Sequence, residues 1–95
     1  MKYPIMTLID ETEITASGFE NNSVQIYAEK WDEKKDCFNH LTIFLPEEKI
    51  YEITGFTKKE AMNIIQHISN LKKDIMNFVK EQEEINPTID DSVRI

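Results

Sequence analysis

The sequence predicts an α+β domain: an antiparallel sheet of four to five strands from successive hairpins, packed on one face by a single long C-terminal helix and followed by an acidic tail. Three observations predict it. Apolar and polar residues alternate with period two through the first half, interrupted by polar turn clusters. A capping box at Thr57 opens a run of apolar residues at helical spacing. The strands all precede the helix, so hairpins suffice and no parallel crossover is needed.

Residues 5–9 (Ile-Met-Thr-Leu-Ile) favour a strand that ends at Asp10-Glu11. From Glu13 to Phe19 the alternation is loose, with Ile14 and Ala16 on one side and Gly18 suggesting a bulge. Glu20-Asn21-Asn22-Ser23 is a turn cluster, because asparagine tolerates positive φ. Residues 24–31 alternate cleanly, with Val24, Ile26 and Ala28 against Gln25, Tyr27 and Glu29, and Trp31 at the end. Five consecutive charges, 32–36, read as a solvated hairpin loop. Residues 37–45 return as a strand, with Cys37, Asn39, Leu41, Ile43 and Leu45 against Phe38, His40, Thr42 and Phe44. Pro46 ends it, and residues 50–54 make a last short strand.

The helix start is the best-specified event. Thr57 and Glu60 can each satisfy the other's backbone N–H, Phe56 can staple onto Ala61, and Gly55 supplies a flexible entry. Ala61, Ile64, Ile65, Ile68, Leu71, Ile75, Phe78 and Val79 then form one apolar stripe centred on Ile68. Asn86-Pro87 is the expected end, because the residue before proline avoids the helical region. A helix from 58 to 84 would be about 40 Å long. Strands of five to nine residues reach only about 17–30 Å. The last turns, with Ile75, Phe78 and Val79, are therefore expected to overhang the sheet. Residues 1–84 make the single domain; residues 85–95 make the acidic tail, ordered or flexible, with Ile85, Ile89, Val93 and Ile95 as scattered apolar anchors.

Ninety-five residues, 40% hydrophobic and 31% charged, are enough for one domain and one modest core. Such a core has little room for an enclosed cofactor pocket, so no cofactor and no enzyme activity are expected. The net charge is −7, and it is uneven. Residues 81–95 hold five acids against Arg94, a net of −4, and residues 1–80 hold 13 acids against 10 bases, a net of −3. No basic stripe is present for a nucleic-acid backbone or an anionic membrane, so direct contact with either is not expected. A protein with a basic surface is the natural electrostatic complement. The one cysteine, Cys37, rules out an internal disulfide and suits a reducing compartment, hence a cytoplasmic location.

Candidate chemistry is sparse. Cys37 and His40 are three apart on a strand and so face opposite sides, which denies the thiol its base. A buried thiol and a half-exposed imidazole are expected instead. His67 falls at the edge of the helical stripe. No His-x-x-x-His, Cys-x-x-Cys or calcium-loop spacing occurs, and Lys34 and Lys35 interrupt the acids of the hairpin, so no metal site is expected.

The remaining candidates are for contact with a partner. Tyr27 and Trp31 lie near the charged hairpin, as the lid of the core or as exposed aromatic anchors. Lys72 stands inside the apolar stripe, either snorkelling along the core or paired across an interface. Phe78 belongs to the overhang, to be covered by the tail or by a second chain. Asp90 and Asp91 belong to the tail, which can order on a basic surface with apolar notches. The expected function is a small, acidic, non-enzymatic regulator or inhibitor of an intracellular protein, which may itself bind nucleic acid, with the profile of an antitoxin or a phage-encoded anti-defence protein. The alternatives are a homodimeric accessory module using the overhanging helix or the open sheet face, and a small-ligand-binding domain.

Overall fold

Turn chemistry sets the order of the strands. The computed structural model describes the backbone of residues 2–94 and the side chains of residues 2–84. Strands β1 (Lys2–Thr7), β2 (Glu13–Ser17), β3 (Val24–Asp32), β4 (Cys37–Leu45) and β5 (Lys49–Thr54) form one antiparallel sheet in sequence order. Helices α1 (Lys58–Asn70) and α2 (Lys72–Arg94) follow. Asn21 and Asn22 both take positive φ, 53° and 65°, and Glu20 and Ser23 exchange backbone hydrogen bonds across them. This is the tight hairpin geometry that suits the twist of the flanking strands. In the β3–β4 loop the Asp32 carboxylate accepts from the N–H groups of Lys34 and Lys35.

The alternation decides which face is covered. Ile14, Ala16, Val24, Ile26, Ala28, Leu41, Ile43 and Leu45 are buried on one face, beneath Ala61, Ile64, Ile68, Ile75 and Val79 of the helices. Among the described residues no helix covers the other face, which carries the alternate residues of β3 and β4. Thr57 caps α1 as its sequence predicts: its hydroxyl accepts from the Glu60 N–H at 3.2 Å, and the Glu60 carboxylate accepts from the Thr57 N–H at 2.8 Å. Thr57→Ala should therefore cost about 1 kcal/mol. Denaturant titration checks this, and an unchanged midpoint would show that the cap adds nothing.

Several expectations are corrected. The single long helix is two helices, which break at Leu71. No glycine or proline marks the break. The Leu71 N–H is shared between the carbonyls of His67 and Ile68, each at 3.2 Å, a tightened last turn. On the next residue the Lys72 ammonium is tied to the β4–β5 turn, so contacts outside the helix hold the step. The apolar stripe carries across the break, and Ile75 and Val79 are buried by the sheet rather than overhanging it.

The bounds of α2 take in Asn86-Pro87, the predicted helix end. The tail's apolar anchors, with Asp90 and Asp91, lie outside the residues whose side chains are described. β1 begins earlier than expected. Pro4 is tolerated because β1 is an edge strand. Leu8-Ile9 belongs to the following turn, where Asp10 accepts from the Thr12 N–H and Ile9 is fully exposed.

Gly18 marks no bulge; the bulges fall between Pro4 and Met6 and opposite Thr42 and Ile43. Gly18 is instead a point of close approach. The Glu83 carboxylate of α2 accepts from the Phe19 N–H at 2.7 Å and from the Tyr3 hydroxyl at 2.9 Å. A Cβ on residue 18 would stand 2.6 Å from Glu83 Oε1. This carboxylate docks α2 onto β1 and the β2–β3 connection.

Candidate functional site

β3 and β4 pair over nine residues each, and their register assembles the uncovered face. Trp31 lies opposite Phe38, Glu29 opposite His40, Tyr27 opposite Thr42 and Gln25 opposite Phe44. Residues directly opposite on an antiparallel pair share a face and touch. The Trp31 and Phe38 rings meet edge to face, with centroids 5.1 Å apart, and Phe38 continues to His40 at 6.3 Å. Phe44 meets Tyr51 of β5 edge-on at 5.9 Å.

Polar groups bind this row together. His40 Nδ1 lies 3.0 Å from Glu29 Oε2, and the Lys2 ammonium is 4.0 Å from the same carboxylate. The Lys2 ammonium relieves a like-charge pair, because Glu13 of β2 stands directly opposite Glu29. Lys2 also sits 4.3 Å over the Tyr27 ring, a cation–π contact, and the Tyr27 hydroxyl donates to Gln25 at 2.8 Å. Tyr27 is thereby half-buried and fixed. Trp31 and Phe38 remain 44% and 49% exposed at the end of the row. Large aromatic side chains held in place by neighbours and still open to water lose little freedom when a partner covers them.

The predicted contact residues separate into two groups. Tyr27 and Trp31 come together on the open face, and the register adds Phe38, His40, Phe44 and Tyr51 to them. Lys72 and Phe78 lie on the helix side, with the sheet between. The Lys72 ammonium donates to Glu48 Oε2 at 2.9 Å and to the Pro46 carbonyl at 3.3 Å, so it closes the β4–β5 turn against α2. Hydrogen bonds from Lys72 and then Ser69 hold the Glu48 carboxyl below the usual carboxylate range. Phe78 is exposed and lines a shallow, mainly apolar cleft of about 280 Å³ with Pro4, Ile5, Met6, Leu71, Asp74 and Ile75.

Cys37 is exposed, not buried, because it pairs with Asp32 at the loop end of the β3–β4 hairpin. It takes the helix-side phase of β4 whereas His40 takes the open phase, so the two do not meet across the strand. Among the described residues no group of three or more His, Cys, Asp or Glu side chains is placed to hold a metal ion, and no helix is long and apolar enough to cross a membrane. Against known proteins, the chain matches no family model, no curated protein and no solved structure.

Proposed function

We propose that this chain is a non-enzymatic protein-binding module that docks a partner on the open face of its sheet, as a regulator or inhibitor of that partner. The observation that carries this reading is the Trp31–Phe38 pair, two large rings packed on each other and each about half open to water. Tryptophan and tyrosine anchors dominate the energetics of protein interfaces, and an apolar face rimmed by charge is the form a docking surface takes. Glu13 and Glu52 flank it with Lys2 and Lys49, Glu29 lies within it, the whole chain carries a net −7, and a basic partner surface is its complement.

Affinity capture with wild-type and Trp31→Ala chains, from the cells in which the protein is made, tests the reading. Truncating an aromatic anchor that dominates an interface costs about 2 kcal/mol or more, roughly a 30-fold loss of affinity. The captured partner should therefore be lost or strongly depleted on the Trp31→Ala chain and retained on a Met62→Ala chain, whose change lies on the far side of α1. Equal capture by all three would move the docking surface away from the sheet.

A further inference from the structure

Among the described residues, β5 is the one strand with no buried position. It is a sheet edge, and so is β1. The two edges differ. β1 carries Pro4, which has no N–H to offer a neighbour, and its Tyr3 hydroxyl is bonded to Glu83 of α2. β5 has no proline and exposes Ile50 at 46%, Tyr51 at 73% and Ile53 at 42%. An uncapped edge with exposed apolar side chains is a template for another strand.

The bulge in β5 arranges those side chains. Ile50 and Ile53 are three apart and would face opposite sides of a regular strand. The register shift pairs Ile50 with Ile43 and Ile53 with Leu41, so both isoleucines lie on the face that the helices cover elsewhere. Glu52 pairs with Thr42, Thr54 with His40 and Lys49 with Phe44, and Tyr51 meets the Phe44 ring, so these four lie on the open face.

We propose that β5 pairs antiparallel with β5 of a second copy of this chain, about a two-fold axis between Tyr51 and Glu52, so that the two sheets join edge to edge. In this register Ile50 faces Ile53 of the second copy, Tyr51 faces Glu52, and Lys49 faces Thr54. Every opposed pair shares a face. Sliding the strands by one residue either way sets Ile50 against a residue of the open face, Glu52 or Thr54. The charges agree as well: Lys49 of each copy lies diagonal to Glu52 of the other, within reach of a long side chain. The contact therefore makes two ion pairs and two isoleucine pairs by symmetry, with no like charges opposed. It also makes the open faces of the two copies continuous. This pairing does not depend on the docking reading.

Light scattering on the full chain between about 1 µM and about 1 mM reads the association directly, since a strand-to-strand contact of this size belongs to the weak end of protein interfaces. A reversible monomer–dimer equilibrium is expected. Lys49→Glu sets like charges diagonal to each other twice and should weaken the dimer about tenfold or more. Adding Glu52→Lys to it restores opposite charges and should bring the constant back to within about threefold of wild type. Phe38→Ser on the open face should leave the constant unchanged, and circular dichroism verifies that each variant is folded. A chain that stays monomeric at the highest concentration overturns the proposal. So does a dimer indifferent to Lys49→Glu, or a loss that the charge swap does not restore. Loss of partner capture on Trp31→Ala with the dimer intact separates this pairing from the docking face.

Discussion

Replacing Ile68 by alanine is expected to lower stability by about 2–5 kcal/mol. Ile68 sits at the centre of the stripe on α1 and is buried in the core with Ile64, Ala61 and the inward residues of β2 to β4. Removing three carbons there loses their transfer free energy and leaves a cavity that two packed layers cannot close. Small domains have a total stability of about 5–15 kcal/mol, so the loss should be plain in the midpoint of a denaturant titration. Met62→Ala, six residues away on the exposed side of the same helix, should stay within about 0.5 kcal/mol of wild type. Equal effects at the two positions would mean that α1 is not seated on the sheet through this face.

Gly55→Ala should cost a similar amount, by a different route. Gly55 holds φ at 88°, in the left-handed region where a Cβ costs about 1–2 kcal/mol. A Cβ there would also collide with Asn39 Oδ1 and stand 3.2 Å from the Asn39 Cβ. Asn39 is buried on the helix side of β4. Forcing an extra carbon into a packed site costs about 1–3 kcal/mol, so the two effects together come to about 2–5 kcal/mol. Gly55→Asn separates them. Asparagine accepts positive φ more readily than alanine but brings the same Cβ, so it should recover part of the loss and not all of it. Full recovery would assign the whole cost to the backbone.

Local chemistry was legible in the sequence and long-range pairing was not. The Thr57 cap, the Asn21-Asn22 turn and the alternation of β3 and β4 each follow from residues within a few positions of one another, whereas the face that the helices cover does not. The break at Leu71 does not, because no residue in the helix demands it and the Lys72 contact is with Glu48, 24 positions away. The local sequence predicts a bulge at Gly18, whereas its role is set by Glu83 of α2. One straight helix set against short strands puts Ile75 and Val79 past the end of the sheet; in the structure both are buried in the core. The docking face lies between these cases. Tyr27 and Trp31 stood out singly, but only the β3–β4 register sets Phe38 against Trp31 and His40 against Glu29. The signal was present in the alternation of residues 37–45, whose open-face set of Phe38, His40, Thr42 and Phe44 is aromatic at three of four positions. The Lys2–Glu29–His40 chain of polar contacts joins β1, β3 and β4 and has no local trace.

Trp31 is the one tryptophan of the chain, and this makes the central claim open to a direct test. With 5-fluorotryptophan incorporated, the protein gives a single fluorine resonance that reports the end of the aromatic row on the open face. Binding of the captured partner should shift that resonance and remove its response to exchanging light for heavy water, because docking takes the ring out of solvent. A complex whose formation is verified by light scattering, and whose Trp31 resonance stays unmoved and solvent-exposed, would contradict docking on the sheet face.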